Sequence, residues 1–383
     1  MALKGFKVIE MAGLAPVPMC GMILADFGAQ VTRIDKTLNS NFDVLKGGKR
    51  TIALDLKKSK ATEIVRKICK VSDVIIEPFR PGVMEKLGLG PEVLLKDNPK
   101  LIYARLTGFG ADGRGLYGKR AGHDINYIAT SGVLSMFGRK GENPYAPVNF
   151  AADFAGGGLL CAFGICTALL ERERSGKGQI VDSAMVDGSA YVASWMFRSR
   201  DLPIWGNSRG DNMLDGKAHF YETYETKDGK FMAVGAIEPQ FYALLLQGLE
   251  LTDEQAPQFD NFEESKQLFT QIFKSKTQSE WTAIFDGIDA CVTPVLDWHE
   301  APNHPHNKDR NVFRQKTDES DPVVPNPAPR LSRTPAKSQY GVGTDRDYLE
   351  MAVEIMGEIG VGKEEMKGLV DDGVLVMDGK AKL

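Results

Sequence analysis

Six short apolar runs alternate with helical patterns through the first 190 residues: Phe6 to Glu10, Val31 to Asp35, Thr51 to Leu56, Val74 to Glu77, Leu101 to Leu106 and Gln179 to Asp182. Runs of this length read as strands. Their alternation with helices predicts a parallel sheet covered on its faces, hence an α/β fold with a Rossmann-like large domain. Glu10, Asp35, Glu77 and Thr107 finish four of the strands. Open α/β sheets bind ligands at the carboxyl ends of their strands, so a site is expected along that edge.

The pattern changes near Asn212. His219 to Thr226 and Lys230 to Val234 alternate around Lys227-Asp228-Gly229, a hairpin signal, and helical stretches follow from Gln240. This predicts a smaller α+β domain over 216–310, joined by a linker at 191–215 to a large domain at 1–190. Seven of the 19 prolines fall between Pro302 and Pro335, which predicts an extended connection rather than helix or sheet. The segment 311–383 then returns to the large domain, with a charged, helical tail from Asp345 to Val370.

Composition narrows the function classes. A formal net charge of -4 over 383 residues argues against a nucleic-acid partner, which normally requires a basic excess. The cysteines at 20, 69, 161, 166 and 291 form no CxxC pair and no zinc spacing, so no metal site is expected. The start, MALKGFKVIEMAG, lacks the pattern of a secretory signal, and no membrane span is expected.

Three ionisable residues sit beside glycines: His123 in Ala121-Gly-His-Asp-Ile-Asn-Tyr127, Asp153 in Ala151-Ala-Asp-Phe-Ala-Gly-Gly-Gly158, and Glu238 in Val234-Gly-Ala-Ile-Glu-Pro-Gln240. An imidazole exchanges protons near neutral pH, and Gly122 and Asp124 suit a tight turn, although most histidines do no catalysis. Asp153 stands where a helix N-cap is expected. The glycine-rich helix start after it also suits stabilisation of a carbonyl oxygen that gains negative charge. Glu238, taken alone, reads as a solvated carboxylate at a strand end.

Residues 36 to 60 hold Lys36, Lys46, Lys49, Arg50, Lys57, Lys58 and Lys60 against Asp43 and Asp55. That local excess suits ligand phosphates as well as it suits a solvated face. The first βαβ unit carries Gly13-Leu-Ala-Pro-Val-Pro18 in place of GxGxxG, so a standard dinucleotide site is poorly supported, even though Asp35 ends the second strand as a ribose-binding acid does.

Taken together, Gly122-His-Asp-Ile-Asn-Tyr127, Ala152-Asp-Phe-Ala-Gly-Gly-Gly158, Asn212-Met-Leu-Asp-Gly216, Val234-Gly-Ala-Ile-Glu-Pro-Gln-Phe241 and Asp289-Ala-Cys-Val-Thr-Pro-Val295 resemble the α-methylacyl-CoA racemases of the family III coenzyme A transferases. Ile75-Ile-Glu-Pro-Phe-Arg-Pro-Gly82, Leu101-Ile-Tyr-Ala-Arg105 and Ser175-Gly-Lys-Gly-Gln179 resemble the wider family.

The resemblance implies a two-base exchange of the α-proton of a 2-methyl-branched acyl-CoA. His123 and Asp153 would serve opposite faces and Glu238 would hold the histidine. It also implies contacts to coenzyme A from Lys36, from Leu54, Asp55, Leu56 and Lys57, and from Gly122, His123, Asp124, Ile125, Asn126 and Tyr127. An interlocked homodimer is implied, with coenzyme A as part of the substrate and no separate cofactor. Lys36 stands where the family carries arginine, and Val17 where it carries the glycine of a Pro-Gly-Pro loop.

The ending Ala381-Lys382-Leu383 resembles the Ser-Lys-Leu peroxisomal address, which implies an import receptor and a peroxisomal location, with mitochondria as the alternative seen in relatives. Two rival functions stand beside the racemase. One is a transferase of the same fold in which Asp153 attacks the thioester. The other is a coenzyme A-binding protein without catalysis.

Overall fold

In the computed structural model, which describes residues 1–38, 43–314, 322–343 and 346–377, all six expected strands form. They are β1 (Lys7–Met11), β2 (Gln30–Asp35), β3 (Arg50–Ala53), β4 (Val74–Glu77), β5 (Ile102–Thr107) and β6 (Ile180–Ala184). Every neighbouring pair is parallel, in the order β3-β2-β1-β4-β5-β6. This is the doubly wound order, whose reversal between β1 and β4 opens a crevice at the strand ends. The intervening helices are α1 (Pro16–Asp26), α2 (Ser59–Lys70), α3 (Val83–Lys86), α4 (Pro91–Asp97) and α5 (Asp124–Thr130). A π-helix (Phe150–Leu159) runs directly into α6 (Leu160–Ser175), and α7 (Met185–Val192) follows β6.

Residues 1–133, 147–193 and 313–383 make one compact unit, and 134–146 with 194–312 make a second. The segment 134–146 therefore leaves the large domain in which its sequence position puts it. Arg139 pairs with Glu222 at 2.5 Å, and Arg209 donates to Ser135 O at 3.3 Å. Residues 194–215 also group with the second unit and open with α8 (Ser194–Ser199) instead of acting as a free linker.

The second unit contains β7 (Tyr221–Glu225), β8 (Phe231–Gly235), α9 (Pro239–Leu249), α10 (Phe262–Phe273), α11 (Gln278–Phe285), β9 (Val292–Val295) and α12 (Pro305–Asp309). Its three strands are antiparallel in the order β7-β8-β9. The hairpin turn closes with Thr226 N donating to Lys230 O at 2.8 Å, and Gly229 adopts a φ of 73°. Phe220, Phe269, Phe273 and Trp281 fill the core behind the sheet. The proline-rich stretch is not wholly extended as expected: Pro305 opens α12 at a position where its missing N–H costs nothing.

After α12 the chain returns to the first unit as α13 (Tyr348–Glu358) and α14 (Lys363–Asp371). Ala352, Ile355, Met356, Met366 and Leu369 from these helices pack with Ile34, Ile52, Ile64 and Ile75 in one core. Val376 N donates to Ala53 O at 2.9 Å and Asp55 N to Val374 O at 3.0 Å, so the tail brackets the end of β3. The Ala381-Lys382-Leu383 ending lies outside the described residues.

Phe150–Ser175 is a continuous 26-residue helical stretch, long and apolar enough by composition to cross a membrane, which the run-length reading of the sequence did not register. Gly156, Gly157 and Gly158 are buried in the first unit. A Cβ on Gly156 would meet Ser189 N at 2.5 Å, and one on Gly158 would meet Pro16 O at 2.8 Å. These contacts are those of a core helix held tightly against α7 and α1.

Candidate active site

The strand ends do carry the polar residues read from the sequence, but those residues are engaged with one another. Glu10 and Lys49 have wholly buried side chains 2.7 Å apart, and Lys49 also donates to Pro18 O at 2.9 Å. Arg33 bridges Glu10 (3.3 Å), Asp35 (2.9 Å) and Asp43. A Cβ on Gly21 would fall 1.8 Å from Glu10 Oε2, so only glycine admits this buried carboxylate. Glu77 accepts from Arg105 (2.8 Å) and from Phe79 N (2.7 Å), and burial pushes its carboxyl up to about 6 despite the arginine. Asp35 accepts from Arg33 and from Lys36 N at 2.7 Å, which uses the carboxylate that resembled a ribose ligand.

The basic stretch divides in the same way. Arg50 pairs with Glu358, and Lys60 with Asp372 at 2.7 Å, while Lys58 donates to Asp372 O. With Lys49 taken by Glu10, the exposed cations of the expected coenzyme A set are Lys36 and Lys57. Leu54 has no exposed surface and bridges Leu375, and Leu56 packs on the core, so neither side chain presents itself to a ligand.

His123 does not form a free-standing tight turn. It is the N-cap of α5, in an extended conformation (φ −130°), with its amide donating to Asn126 Oδ1 at 3.0 Å. Helical geometry then sorts its neighbours. His123, Ile125 and Asn126 are exposed, whereas Asp124 and Tyr127 point inward. Tyr127 donates its hydroxyl proton to Gly122 O and meets Phe109 edge-on at 5.0 Å. A Cβ on Gly122 would come within 2.8 Å of the Tyr127 ring, so this position too requires glycine. Burial, reinforced by the Asp153 charge, pushes the Tyr127 phenol up to about 12.

Asp153 lies within the first turn of the π-helix rather than at its N-cap, which is Asn149. Asn149 Nδ2 donates to Asp153 Oδ2 at 3.3 Å. The residue that satisfies the orphan amides of this helix start is Asp124, whose Oδ2 accepts from Ala152 N at 2.6 Å and Asp153 N at 2.7 Å. Sequence reasoning placed Asp124 among the ligand contacts. Its side chain is 3% exposed and is taken up by backbone.

The Asp153 carboxyl is half-buried, and burial holds its pKa above the usual carboxylate range. Asn149 opposes the shift, Asp124 adds to it by repulsion, and His123 opposes it by attraction. The structure thus brings His123 and Asp153 within electrostatic reach of each other on one unit. Gly156, Gly157 and Gly158 are buried, so the glycine-rich backbone is not the exposed oxyanion site expected from the sequence.

Glu238 belongs to the second unit. It is exposed, caps α9 through its carbonyl, and precedes Pro239 at the first helical position. The second unit also carries an open cavity of about 930 Å³, walled by Phe137, Tyr145, Trp195, Met196, Trp205 and Tyr221 among others, and none of His123, Asp153 and Glu238 lines it. Among the described residues no group of three or more His, Cys, Asp or Glu side chains is placed to hold a metal ion.

The sequence profile of CoA-transferase family III matches residues 3–343. The chain is 53% identical to the α-methylacyl-CoA racemase of Mus musculus over 381 residues, covering 99% of this chain and 98% of that protein. It is 53% identical to the human protein of the same name over 380 residues, 98% of each. Among solved structures it resembles a CAIB/BAIF family protein from Brucella suis, with a TM-score of 0.76 and 24% identity, over 92% of this chain and 99% of that one.

Proposed function

Since the chain belongs to CoA-transferase family III, we propose that it is a racemase that interconverts the two epimers of 2-methyl-branched acyl-CoA thioesters by proton transfer at the α-carbon. The observation that carries this reading is the pairing of an exposed imidazole, His123, with a half-buried carboxyl, Asp153, close enough for the histidine to act on the carboxyl's charge.

Racemisation by two bases requires one group to start without its proton and the other to start with one. Burial moves the Asp153 carboxyl above its usual range, the direction that favours its protonated form, and imidazoles as a class serve as general acids and bases. In one direction Asp153 donates while His123 abstracts, and in the other the roles reverse. The α-proton passes to one base as an enolate forms, and the other base delivers its own proton to the α-carbon from the opposite face, with no net oxidation or reduction. With Gly156 to Gly158 buried, the donors for the enolate oxygen are assigned to the first turn of α5, where the amides of Asp124 and Ile125 precede the first intrahelical hydrogen bond.

Lys36 and Lys57, exposed at the carboxyl ends of β2 and β3, are assigned to the phosphates of coenzyme A. A homodimer is part of the reading. The π-helix and α6 present Leu159, Phe163 and Leu170 along one face at 52%, 62% and 61% exposure, and α7 adds Tyr191 and Val192. Exposed apolar side chains of this size on neighbouring segments suit burial against a second copy of the chain. Glu238 is assigned to hold the imidazole of His123 in that second copy.

The test is incubation with (R)-2-methylacyl-CoA in deuterated water, without an acceptor acid, following deuterium at the α-carbon and the configuration there. Exchange with approach to equal epimers is expected, with a loss of at least about a hundredfold in His123→Ala or Asp153→Ala. Full activity in either variant sinks the two-base scheme. Coenzyme A transfer to an added carboxylate, with no exchange in its absence, would instead assign Asp153 as the nucleophile of a transferase.

A further inference from the structure

Asp124 is a buried anion next to the proposed acid/base pair, and the mechanism above leaves its carboxylate without a task. One oxygen, Oδ2, accepts two amide protons from the Ala152 and Asp153 backbone. The other, Oδ1, is buried and accepts none. A neutral asparagine would offer the same two amides one acceptor oxygen without leaving a charged oxygen unsolvated. Capping alone therefore does not account for a carboxylate here.

We propose that Asp124 is a positioning residue for proton transfer: its carboxylate ties the backbone of Asp153 to the turn that carries His123, and it supplies a fixed negative charge beside both. The tie spans two separate elements. Asp124 is the first residue of α5 and is bonded in sequence to His123, while Ala152 and Asp153 lie in the first turn of the π-helix. Two short hydrogen bonds to consecutive amides fix both the distance and the rotation between the two backbones. The gap in which a substrate's α-carbon must fit is then set before any ligand arrives. The same charge makes loss of a proton from Asp153 less favourable, in the direction found for that carboxyl.

The groups whose charge acts on Asp153 are Asp124 and His123, with Asn149 as a neutral donor, and Asp153 in turn acts on Tyr127. The other elements packed against the π-helix carry Cys20 and Asp26 on α1, Tyr103 and Arg105 on β5, Asp182 on β6, Cys161, Cys166, Glu171, Arg172, Glu173 and Arg174 on α6, and Asp187 and Tyr191 on α7. None of these is among the causes of the Asp153 shift.

The inference rests on the reading of His123 and Asp153 as acid and base, and the test separates the two. Full-length wild type, Asp124→Asn and Asp124→Ala are compared for α-proton exchange of 2-methylacyl-CoA in deuterated water as a function of pH, with thermal melting measured alongside. Asp124→Asn keeps the acceptor and loses the charge, so it should turn over with its pH profile displaced to lower pH and KM little changed. Asp124→Ala loses both, and its kcat should fall by about a hundredfold at similar KM. Should the alanine variant fail to fold, the asparagine variant decides alone. An asparagine profile that superimposes on wild type overturns the inference and leaves the acid/base reading standing. A wild type that exchanges no α-proton overturns both.

Discussion

Lys49 places its ammonium 2.7 Å from Glu10 in a site from which water is excluded, since neither side chain has any exposed surface. A buried pair of this kind adds little net stability against an apolar pair of equal size, but removing Lys49 leaves the buried Glu10 carboxylate with only Arg33, 3.3 Å away and shared with Asp35 and Asp43, to offset its charge. Burial already raises the Glu10 carboxyl, against the pull of Lys49 and Arg33.

Lys49→Met is therefore expected to destabilise the chain by about 3 kcal/mol or more near neutral pH. Adding Glu10→Gln should recover part of that loss, because the buried charge that Arg33 alone must then offset goes with it. Denaturant unfolding of the two single variants and the double variant measures the coupling. Strictly additive losses would contradict a pair that stands or falls together.

The second unit has its own buried titratable group. His219 Nε2 lies 2.7 Å from Tyr242 Oη, which gives its one proton to Ala256 O at 2.7 Å. Nε2 must therefore carry the imidazole proton, and Nδ1 is left bare and buried. Burial, with Lys266 adding to it, lowers this histidine to about 4 from 6.5. The unfolded chain thus takes up a proton in this interval before the folded one does. The stability His219 contributes is complete above about pH 6.5 and falls away as pH drops toward 4, by roughly 3 kcal/mol in all. The melting temperature of wild type relative to His219→Gln should decline across that window, and a constant difference would refute the assignment.

Co-expression of His123→Ala with Glu238→Ala examines the assignment of Glu238 to the second copy. If each site takes its histidine from one chain and its glutamate from the other, mixed dimers contain one intact site. They should then restore roughly a quarter of wild-type exchange from two inactive parents. Restoration no greater than the sum of the parents would place both residues in one chain.

How much of this was legible in the sequence depended on whether a residue's role is periodic. The six parallel strands were, because each is an apolar run of strand length, four of them closed by a polar residue. β9 was missed as a strand because Pro294 interrupts it. The proline is tolerated because β9 is an edge strand, paired through Met232 on one side only. Which polar residues face a ligand was not legible. Asp124 looks like any turn residue between His123 and Ile125, and its inward rotation becomes apparent only once α5 exists and needs an acceptor for amides 28 and 29 residues away. The lysines and arginine of residues 36–60 looked alike for the same reason. Glu10 and Glu358, which neutralise Lys49 and Arg50, are remote in sequence.

The strands of the first unit are all made by residue 184, yet their core is sealed by residues 352–375, after the whole second unit has been specified. On the ribosome the order of completion is therefore inverted. The second unit has all its residues while β3 still awaits its α13 cover, and Leu54 waits for Leu375. A nascent chain stalled anywhere between the two exposes Ile52, Ile64 and Val65, which makes the interval before termination the period in which this protein depends most on a chaperone.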